Sequence, residues 1–334
     1  MSGIPPSNDG TSHRGEPGTQ QVYRDTEQVW TGPVVVSVQS RVAMGHVGNS
    51  AAVLPLQLAG YEVVDVPTAL LSNHPFYPGH RGRLLDAELV GELLTGVAER
   101  GVGEAAGALL SGFLGTAAVA PAVARFAAAA RDVNPDVRYI CDPVLGDVGP
   151  GLYVDPGLVG AYRELLVPLA DVVTPNVFEL ELLTAPGVGT VADVEARADA
   201  LLSDRTAVVV VTGAVLTDTP AGWLDTLVVT AGAGSPGNPG SVRRETRPET
   251  RRVRSRRHDR HFDGTGDLFS ALLTAVWLAG PATTVSVADA VAAAVAGTAA
   301  VVDRTVADGT KELRLVAVGR GMLDAAPSAV ERVR

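Results

Sequence analysis

The chain contains very little cysteine and lysine, two amino acids on which many metal and phosphate sites depend. Of its 334 residues, one is cysteine, Cys141, and one is lysine, Lys311. A single cysteine excludes an intrachain disulfide and a cysteine-rich zinc site, and it fits a reducing compartment. Lys311 does not follow a glycine-rich turn between a strand and a helix, so the chain has no GxxxxGK[ST] phosphate loop. Two common kinds of site are therefore ruled out.

Aromatic residues are also scarce, at 4% of the chain, whereas hydrophobic residues reach 46%. Ala, Val and Leu must then fill the core, as they do in parallel sheets covered by helices. The formal net charge of −10 argues against general binding of nucleic acid. Residues 1–30 have neither a basic start nor the apolar core of a signal peptide, so they are interpreted as a flexible N-terminal tail. No run is judged apolar enough to span a membrane, and a cytoplasmic protein with no membrane partner is expected.

Short apolar runs alternate with helical patterns from residue 33 onward. This alternation predicts an α/β fold with a central, mostly parallel sheet covered by helices on both faces. The folded domain is expected to span residues 31–327, followed by a C-terminal tail at 328–334. The predicted strands lie at 33–39, 61–66, 106–110, 137–141, 172–174 and 207–212. The predicted helices lie at 49–59, 86–99, 177–183 and 191–202, with an Ala-rich helix before residue 137.

Residues 231–259 differ sharply in composition from the rest of the chain. A stretch of Gly, Ser and Pro gives way to a dense run of arginine. The main interpretation is a solvated, flexible insertion. The alternative is a lid whose arginines help to hold nucleotide phosphates, because the run leads directly to Gly264.

Polar side chains follow five of the predicted strands. In open α/β sheets, ligands bind beyond the carboxyl ends of the strands, so these side chains predict one shared site. They are Ser40, Ser111 to Phe113, Asp142, Thr174 to Asn176, and Thr212 with Gly213.

The tetrapeptide Gly264-Thr265-Gly266-Asp267 leads into an apolar run with helical periodicity. Glycine allows a tight turn and a close approach of the backbone to a ligand, and the start of a helix presents free N–H groups to an anion. A carboxylate at this position would be repelled by a phosphate, so Asp267 is interpreted as a base for an incoming hydroxyl. The alternative is an ordinary helix entry in which Asp267 is an N-terminal charge.

Asn176 and Glu179 are three residues apart, on one face of a predicted helix. Their oxygens suit Mg²⁺, and Asp142 offers a second carboxylate at a neighbouring strand end. The alternative is a capping box, with Asn176 as N-cap and Glu179 as its partner.

Six stretches of the chain, taken together, resemble the pyridoxal kinases, within the ribokinase-like group of small-molecule kinases. The resemblance covers residues 34–318, apart from part of the arginine-rich segment. The matching stretches are VQSRVAMGHVGNSAAVLPLQLAGYEV, LSNH, SGFLGT, CDPVLGD, VVTPNVFELELL and GTGDLFSALL.

This resemblance implies a ribokinase-like fold and transfer of the ATP γ-phosphoryl group to the 5′-hydroxymethyl group of pyridoxal. Asp267 would take the hydroxyl proton, while the backbone of Gly264, Thr265 and Gly266 would form the anion hole. Asp142 and Glu179 would lie near Mg²⁺, largely through water, and a K⁺ requirement is left open. The part of the site that binds pyridoxal, a form of vitamin B6, is called the vitamin side. It would comprise Ser40, Val47, His74 and Phe113. The nucleotide side would comprise Tyr153, Thr174, Asn176 and Thr212. A homodimer is also expected from the family.

One departure from the family pattern concerns the segment after Asn73. Pro75 stands where the family commonly has threonine, which removes a hydroxyl and a backbone donor that would face the substrate. Two alternatives therefore accompany the pyridoxal kinase interpretation. One is a kinase of the same fold that acts on hydroxymethylpyrimidine or another small alcohol, and the other is a non-catalytic pyridoxal-phosphate-binding protein.

Overall fold

The computed structural model describes residues 32–232, 248–279 and 286–333. The N-terminal tail expected at 1–30 lies outside these residues, as do residues 233–247 of the arginine-rich segment.

Ten strands of the described residues form one sheet, in the order β12-β11-β10-β9-β8-β5-β4-β1-β2-β3. The six strands from β9 to β2 in this order run parallel, and the strands outside them pair antiparallel. The strands are β1 (Val34–Val42), β2 (Glu62–Leu71), β3 (Gly82–Leu84), β4 (Ala106–Ser111), β5 (Arg138–Cys141), β6 (Gly146–Asp147), β7 (Gly151–Leu152), β8 (Val172–Val173), β9 (Val208–Ala214), β10 (Trp223–Thr230), β11 (Glu249–Arg256) and β12 (Val330–Arg332). The short strands β6 and β7 pair only with each other.

Helices cover the parallel part of the sheet. The first, eighth and ninth helices pack together on one face, and the second and fourth pack on the other. The helices are α1 (Asn49–Leu58), α2 (Ala87–Ala98), α3 (Val102–Ala105), α4 (Ala120–Val133), α5 (Gly157–Ala161), α6 (Val177–Leu183), α7 (Val191–Asp199), α8 (Thr265–Leu278), α9 (Val287–Ala307) and α10 (Leu315–Val318). Short 3₁₀ turns lie at Ala117–Val119, Val167–Leu169 and Gly319–Met322, and a π-helical turn lies at Tyr162–Leu166.

Strand β1 shows why the sequence specifies this arrangement. Its residues 34–40 are all buried, whereas a strand with one solvated face would alternate. Val35 packs with Ala52 of α1 and Ala271 of α8 in one cluster of the core. Small apolar side chains thus allow both helices to approach the sheet closely, which confirms the predicted α/β fold class.

Two expectations about irregular segments are wrong in part. Residues 249–256, expected within a flexible insertion or a lid, form β11 and pair with β10 over eight residues. Residues 330–332, expected in a C-terminal tail, form β12 and pair with β11. The arginines of β11 are held by carboxylates: Arg252 pairs with Asp218 at 2.8 Å, and Arg254 pairs with Asp225 at 3.0 Å. Ion pairing therefore keeps an arginine-rich sequence in the sheet.

The segment between the predicted strand at 61–66 and the predicted helix at 86–99 also contains regular structure. β2 continues to Leu71, and Pro67 lies within it opposite Gln39. Pro67 is tolerated because the register of β1 and β2 shifts just after this pair.

Helix α9 is long and apolar enough, by length and composition alone, to cross a membrane. The expectation that no segment meets this criterion is therefore wrong. Half of the helix is buried inside the fold, and Val291 and Val295 pack with Val253 of β11 in the core. These contacts are those of a core helix.

Candidate active site

A cleft of about 530 Å³ opens at the carboxyl ends of the parallel strands. The fourteen residues to which the family resemblance gives a role in the site all line it. Ser40 belongs to β1, Asp142 follows β5, Thr174 follows β8, and Thr212 lies near the end of β9. The structure therefore brings these four strand-end residues together in one cleft. Ser111, Gly112 and Pro175, which were predicted with them, do not line it. Ser111 is fully buried, and its hydroxyl lies 2.8 Å from that of Tyr139.

Gly264 is the N-cap of α8 and adopts a left-handed conformation with φ of 82°. A β-carbon at this position would lie 1.9 Å from the backbone oxygen of His46. Only glycine therefore allows the turn before α8 to approach the loop after β1 so closely. Thr265, Gly266 and Asp267 form the first turn of the helix, where backbone N–H groups have no intrahelical partner. The sequence prediction of a glycine turn at a helix start is confirmed.

Asp267 lies in that first turn, within the cleft. Its burial raises the pKa of the carboxyl group, against the opposing effect of hydrogen bonds from its own backbone N–H and that of Gly48. Gly48 in turn packs on Ser40, since a β-carbon there would lie 2.5 Å from the Ser40 hydroxyl. Asp267 is therefore held beside Gly48 and Ser40 by backbone donors, and desolvation makes it a stronger proton acceptor than a surface aspartate.

Asp142 is buried at the end of β5, and its Oδ2 accepts a hydrogen bond from the Ser270 hydroxyl at 3.0 Å. Ser270 belongs to α8 and also lies 3.2 Å from the Thr174 hydroxyl. Burial is the main cause that raises the pKa of Asp142, and the nearby charge of Asp267 adds to it. Two carboxylates from distant parts of the chain thus meet in one cleft.

Glu179 and Asn176 form a capping box at the start of α6, as one of the two sequence interpretations predicted. Glu179 Oε2 accepts from the Asn176 backbone N–H at 2.9 Å, and Oε1 accepts from that of Leu145 at 3.0 Å. Burial, followed by the charge of Asp142, raises the pKa of Glu179 well above its usual range. Glu179 can both cap the helix and lie beside a cation, because the capping box holds its buried carboxylate near that of Asp142.

The donor set fits a magnesium ion. Asp142 and Glu179 are buried oxygen donors whose charges disfavour each other, and a divalent cation would relieve that repulsion. No group of three or more His, Cys, Asp or Glu side chains in the described part of the chain is arranged to hold a metal ion. Water and phosphate oxygens would complete the shell, as Mg²⁺ commonly prefers.

The vitamin-side prediction groups residues that do meet in the cleft. Ser40, Val47, His74 and Phe113 all line it, and His74 is 3% exposed. Tyr153, predicted for the nucleotide side, stacks edge-on against Phe76, with the ring centroids 5.9 Å apart. Tyr153 therefore contacts the loop that carries both His74 and Phe76.

Several residues that line the cleft were not predicted. Arg256 and Arg260 contribute positive charge, and His261 lies 3.3 Å from Asp263, just before the glycine turn. Hydrogen bonding to Asp263 is the main cause that raises the pKa of His261. The sequence of β11 does not alternate between apolar and polar residues, so no local pattern indicated that Arg256 ends a strand.

Comparison with known proteins agrees with this geometry. The family model described as phosphomethylpyrimidine kinase matches residues 86–314. The chain is 38% identical to pyridoxal kinase PdxY of Deinococcus radiodurans over 287 residues, which is 85% of this chain and 90% of that protein. It is 44% identical over 246 residues to the pyridoxine/pyridoxal/pyridoxamine kinase of Bordetella avium, covering 74% and 78% of the two chains.

Solved structures give the same result. The pyridoxal kinase of Leishmania donovani in complex with ADP and pyridoxamine superimposes with a TM-score of 0.78 at 29% identity. The match covers 90% of this chain and 99% of that one. The sequence relatives and the solved structures thus agree, and the chain belongs to the pyridoxal kinases of the ribokinase-like fold.

Proposed function

We propose that this chain phosphorylates the 5′-hydroxymethyl group of pyridoxal with ATP and so produces pyridoxal 5′-phosphate. The observation that carries the proposal is the position of Asp267. It is a desolvated carboxylate at a helix N-terminus, in one cleft with the predicted vitamin-side and nucleotide-side residues. Such a group can accept a proton from an alcohol while the adjacent backbone N–H groups receive phosphate charge.

The roles of the other residues follow from their places in the cleft. The backbone of Gly264, Thr265 and Gly266 would form the anion hole for the transferring phosphoryl group. Phosphoryl transfer needs positioning and charge stabilisation more than covalent chemistry, which these N–H groups can supply. Vitamin-side contacts would come from Ser40, Val47, His74 and Phe113, and nucleotide-side contacts from Tyr153, Thr174, Asn176 and Thr212.

Asp142 and Glu179 would hold Mg²⁺, mainly through water. When bound, the ion supplies neutralisation of phosphate charge. A homodimer, a cytoplasmic location and a K⁺ requirement are predictions of the family resemblance, and gel filtration and cation-replacement assays would test the first and last of these.

Phosphorylation of hydroxymethylpyrimidine is the second candidate, because the matching family model carries a phosphomethylpyrimidine kinase description. The two candidates are separated by ATP-dependent turnover with pyridoxal, pyridoxine, pyridoxamine, hydroxymethylpyrimidine and ribose, each with Mg²⁺. Highest kcat/KM on a vitamin B6 form is expected. Turnover of the pyrimidine alone would replace the proposal, and tight binding of the vitamin without ATP consumption would favour a binding protein.

Asp267→Asn tests the base directly. Loss of a general base typically lowers turnover by about 10²–10⁴-fold, and ATP binding should persist because the backbone donors remain. Asp289→Asn is a matched control, since Asp289 also lies in the first turn of a helix but is exposed on α9. Near-normal turnover of the Asp267 variant would contradict the proposed role.

A further inference from the structure

Lys311 and Glu312 follow α9 and reach a segment more than 230 residues earlier in the chain. This segment, residues 72–77, has the sequence Ser-Asn-His-Pro-Phe-Tyr and contributes His74, Pro75 and Phe76 to the cleft. Neither Lys311 nor Glu312 lines the cleft itself. They therefore contact the segment that forms the cleft wall without being exposed to the cleft themselves.

The Glu312 carboxylate bridges two loops, residues 72–77 and the loop after β1. Oε1 accepts a hydrogen bond from the Tyr77 hydroxyl at 2.5 Å and lies 3.2 Å from His74 Nε2. Oε2 accepts from the backbone N–H of His46 at 3.1 Å, in the loop after β1. Hydrogen bonds to a charged group are stronger than those between neutral groups, so these contacts hold the two loops together.

Lys311, the only lysine in the chain, holds the same segment from another direction. Its Nζ donates to the backbone oxygen of Phe76 at 3.3 Å and lies 3.7 Å from the centre of the Tyr77 ring. The cation thus contacts both the backbone and an aromatic face of this segment.

These contacts also orient the His74 ring. Its Nε2 lies 3.2 Å from Glu312 Oε1 and 3.6 Å from Asp263 Oδ2. A carboxylate oxygen can only accept, so Nε2 carries a hydrogen. Nδ1 is buried and has no hydrogen-bond partner within the described residues. A polar group of a bound substrate would provide the missing partner.

We propose that Lys311 and Glu312 form a clasp that holds residues 72–77 against the vitamin side of the cleft and orients His74, so that its unpartnered Nδ1 can bond a polar group of the substrate. Both are positioning residues, because neither touches the cleft. The inference rests on the proposed function for the identity of the ligand, whereas the clasp itself can be tested without turnover.

The kinetic test compares Glu312→Gln and Tyr77→Phe, singly and together, with Asp308→Asn as control. Asp308 is a nearby carboxylate that pairs with Arg304 and Arg314 and has no contact with residues 72–77. Loss of a charged hydrogen bond predicts that KM for pyridoxal rises about 10-fold, while KM for ATP changes less than about 2-fold. The double variant should show less than the product of the single effects, because Glu312 acts through Tyr77.

Hydrogen exchange of residues 72–77 provides a readout independent of activity. Faster exchange is expected in Glu312→Gln and in Lys311→Met, with no change in Asp308→Asn. A parent protein that phosphorylates no B6 form, but whose variants lose this protection, would refute the proposed function and support the clasp. An active parent whose variants keep both the protection and the KM for pyridoxal would refute the clasp, as would equal rises in both KM values.

Discussion

At the scale of one residue, the buried charge of Asp142 lowers the stability of the folded protein at neutral pH. Burial and the charge of Asp267 raise its pKa, so the folded chain holds a proton there more tightly than the unfolded chain does. Between the ordinary aspartate pKa of about 4 and the raised value, the folded state binds more protons. The free energy of unfolding therefore contains a contribution that is present at low pH and is lost as pH rises through that window.

Asp142→Asn should consequently stabilise the protein at neutral pH, by roughly 0.5–2 kcal/mol, and lower its turnover. The gain should shrink as pH falls and Asp142 becomes protonated. Thermal unfolding at several pH values would measure it. Mg²⁺ should raise the melting temperature of the parent more than that of the variant, because one donor is gone.

Asp225→Asn is the matched control. Asp225 is fully buried as well, but it lies between the guanidinium groups of Arg252 and Arg254. Loss of its charge leaves Arg252 and Arg254 only their exposed partners Asp218 and Glu331, so this variant should be destabilised. Destabilisation of the Asp142 variant to the same degree would contradict the idea that its charge is held at a cost.

Residues of the site differ in how well the sequence predicts them. Asp142, Thr174 and Thr212 follow or end apolar strands, and the geometry of parallel sheets then brings them together. Glu312 shows no such pattern, because its partners are 235 and 238 residues away in the chain. A contact between loops so far apart leaves no periodicity and no local motif.

At the start of helix α6, the same two residues, Asn176 and Glu179, can serve both the structure and the proposed function. Its capping box was one of two interpretations of Asn176 and Glu179, and the bounds Val177–Leu183 agree with the prediction because cap and apolar run coincide. Strands β10 and β11 were not predicted. In β11 the buried residues are Thr250, Arg252 and Val253, which lie on both faces of the strand, so the usual contrast between apolar and polar residues is missing.

The neighbouring helix α7 provides a comparison for the cap of α6. Thr190 and Asp193 form a second capping box, which lies outside the cleft. Asn176→Ala and Thr190→Ala should each cost about 1 kcal/mol of stability. Only Asn176→Ala should also raise KM for ATP, by about 10-fold for a lost contact to a charged group. Chemical denaturation and initial rates would measure the two effects, and equal KM values in both variants would remove Asn176 from the nucleotide side.

At the scale of the whole molecule, the two halves of the sheet carry different parts of the cleft. Ser40 and Phe113 come from β1 and the end of β4, whereas Thr174 and Thr212 come from the end of β8 and from β9. Strand β5 lies between these halves, and Asp142 follows its last residue. Helix α8 brings Asp267 to the same cleft from a distant part of the sequence. Asp267, the proposed base, thus lies in one cleft with residues from both halves.

This division predicts that substitutions can abolish the binding of pyridoxal and the binding of the nucleotide separately. A ligand at 100 times its Kd stabilises the folded state by about 2.7 kcal/mol. Pyridoxal and ADP with Mg²⁺ should therefore each raise the melting temperature of the parent. His74→Gln should lose the pyridoxal shift and keep the nucleotide shift, because its ring lies on the β1 side of the cleft. Thr212→Val should do the reverse, since it removes one hydroxyl on β9 and keeps the shape of the side chain.

Asp267→Asn completes this comparison, because it should keep both shifts while it loses turnover. That combination would show that the variant is folded and binds both ligands, so that its defect lies in proton transfer. If His74→Gln and Thr212→Val each abolished both shifts, the cleft would bind its ligands as one cooperative unit, and the assignment of separate vitamin and nucleotide sides would be wrong. The control Asp289→Asn should keep both shifts and normal turnover, since its carboxylate lies on the surface of α9.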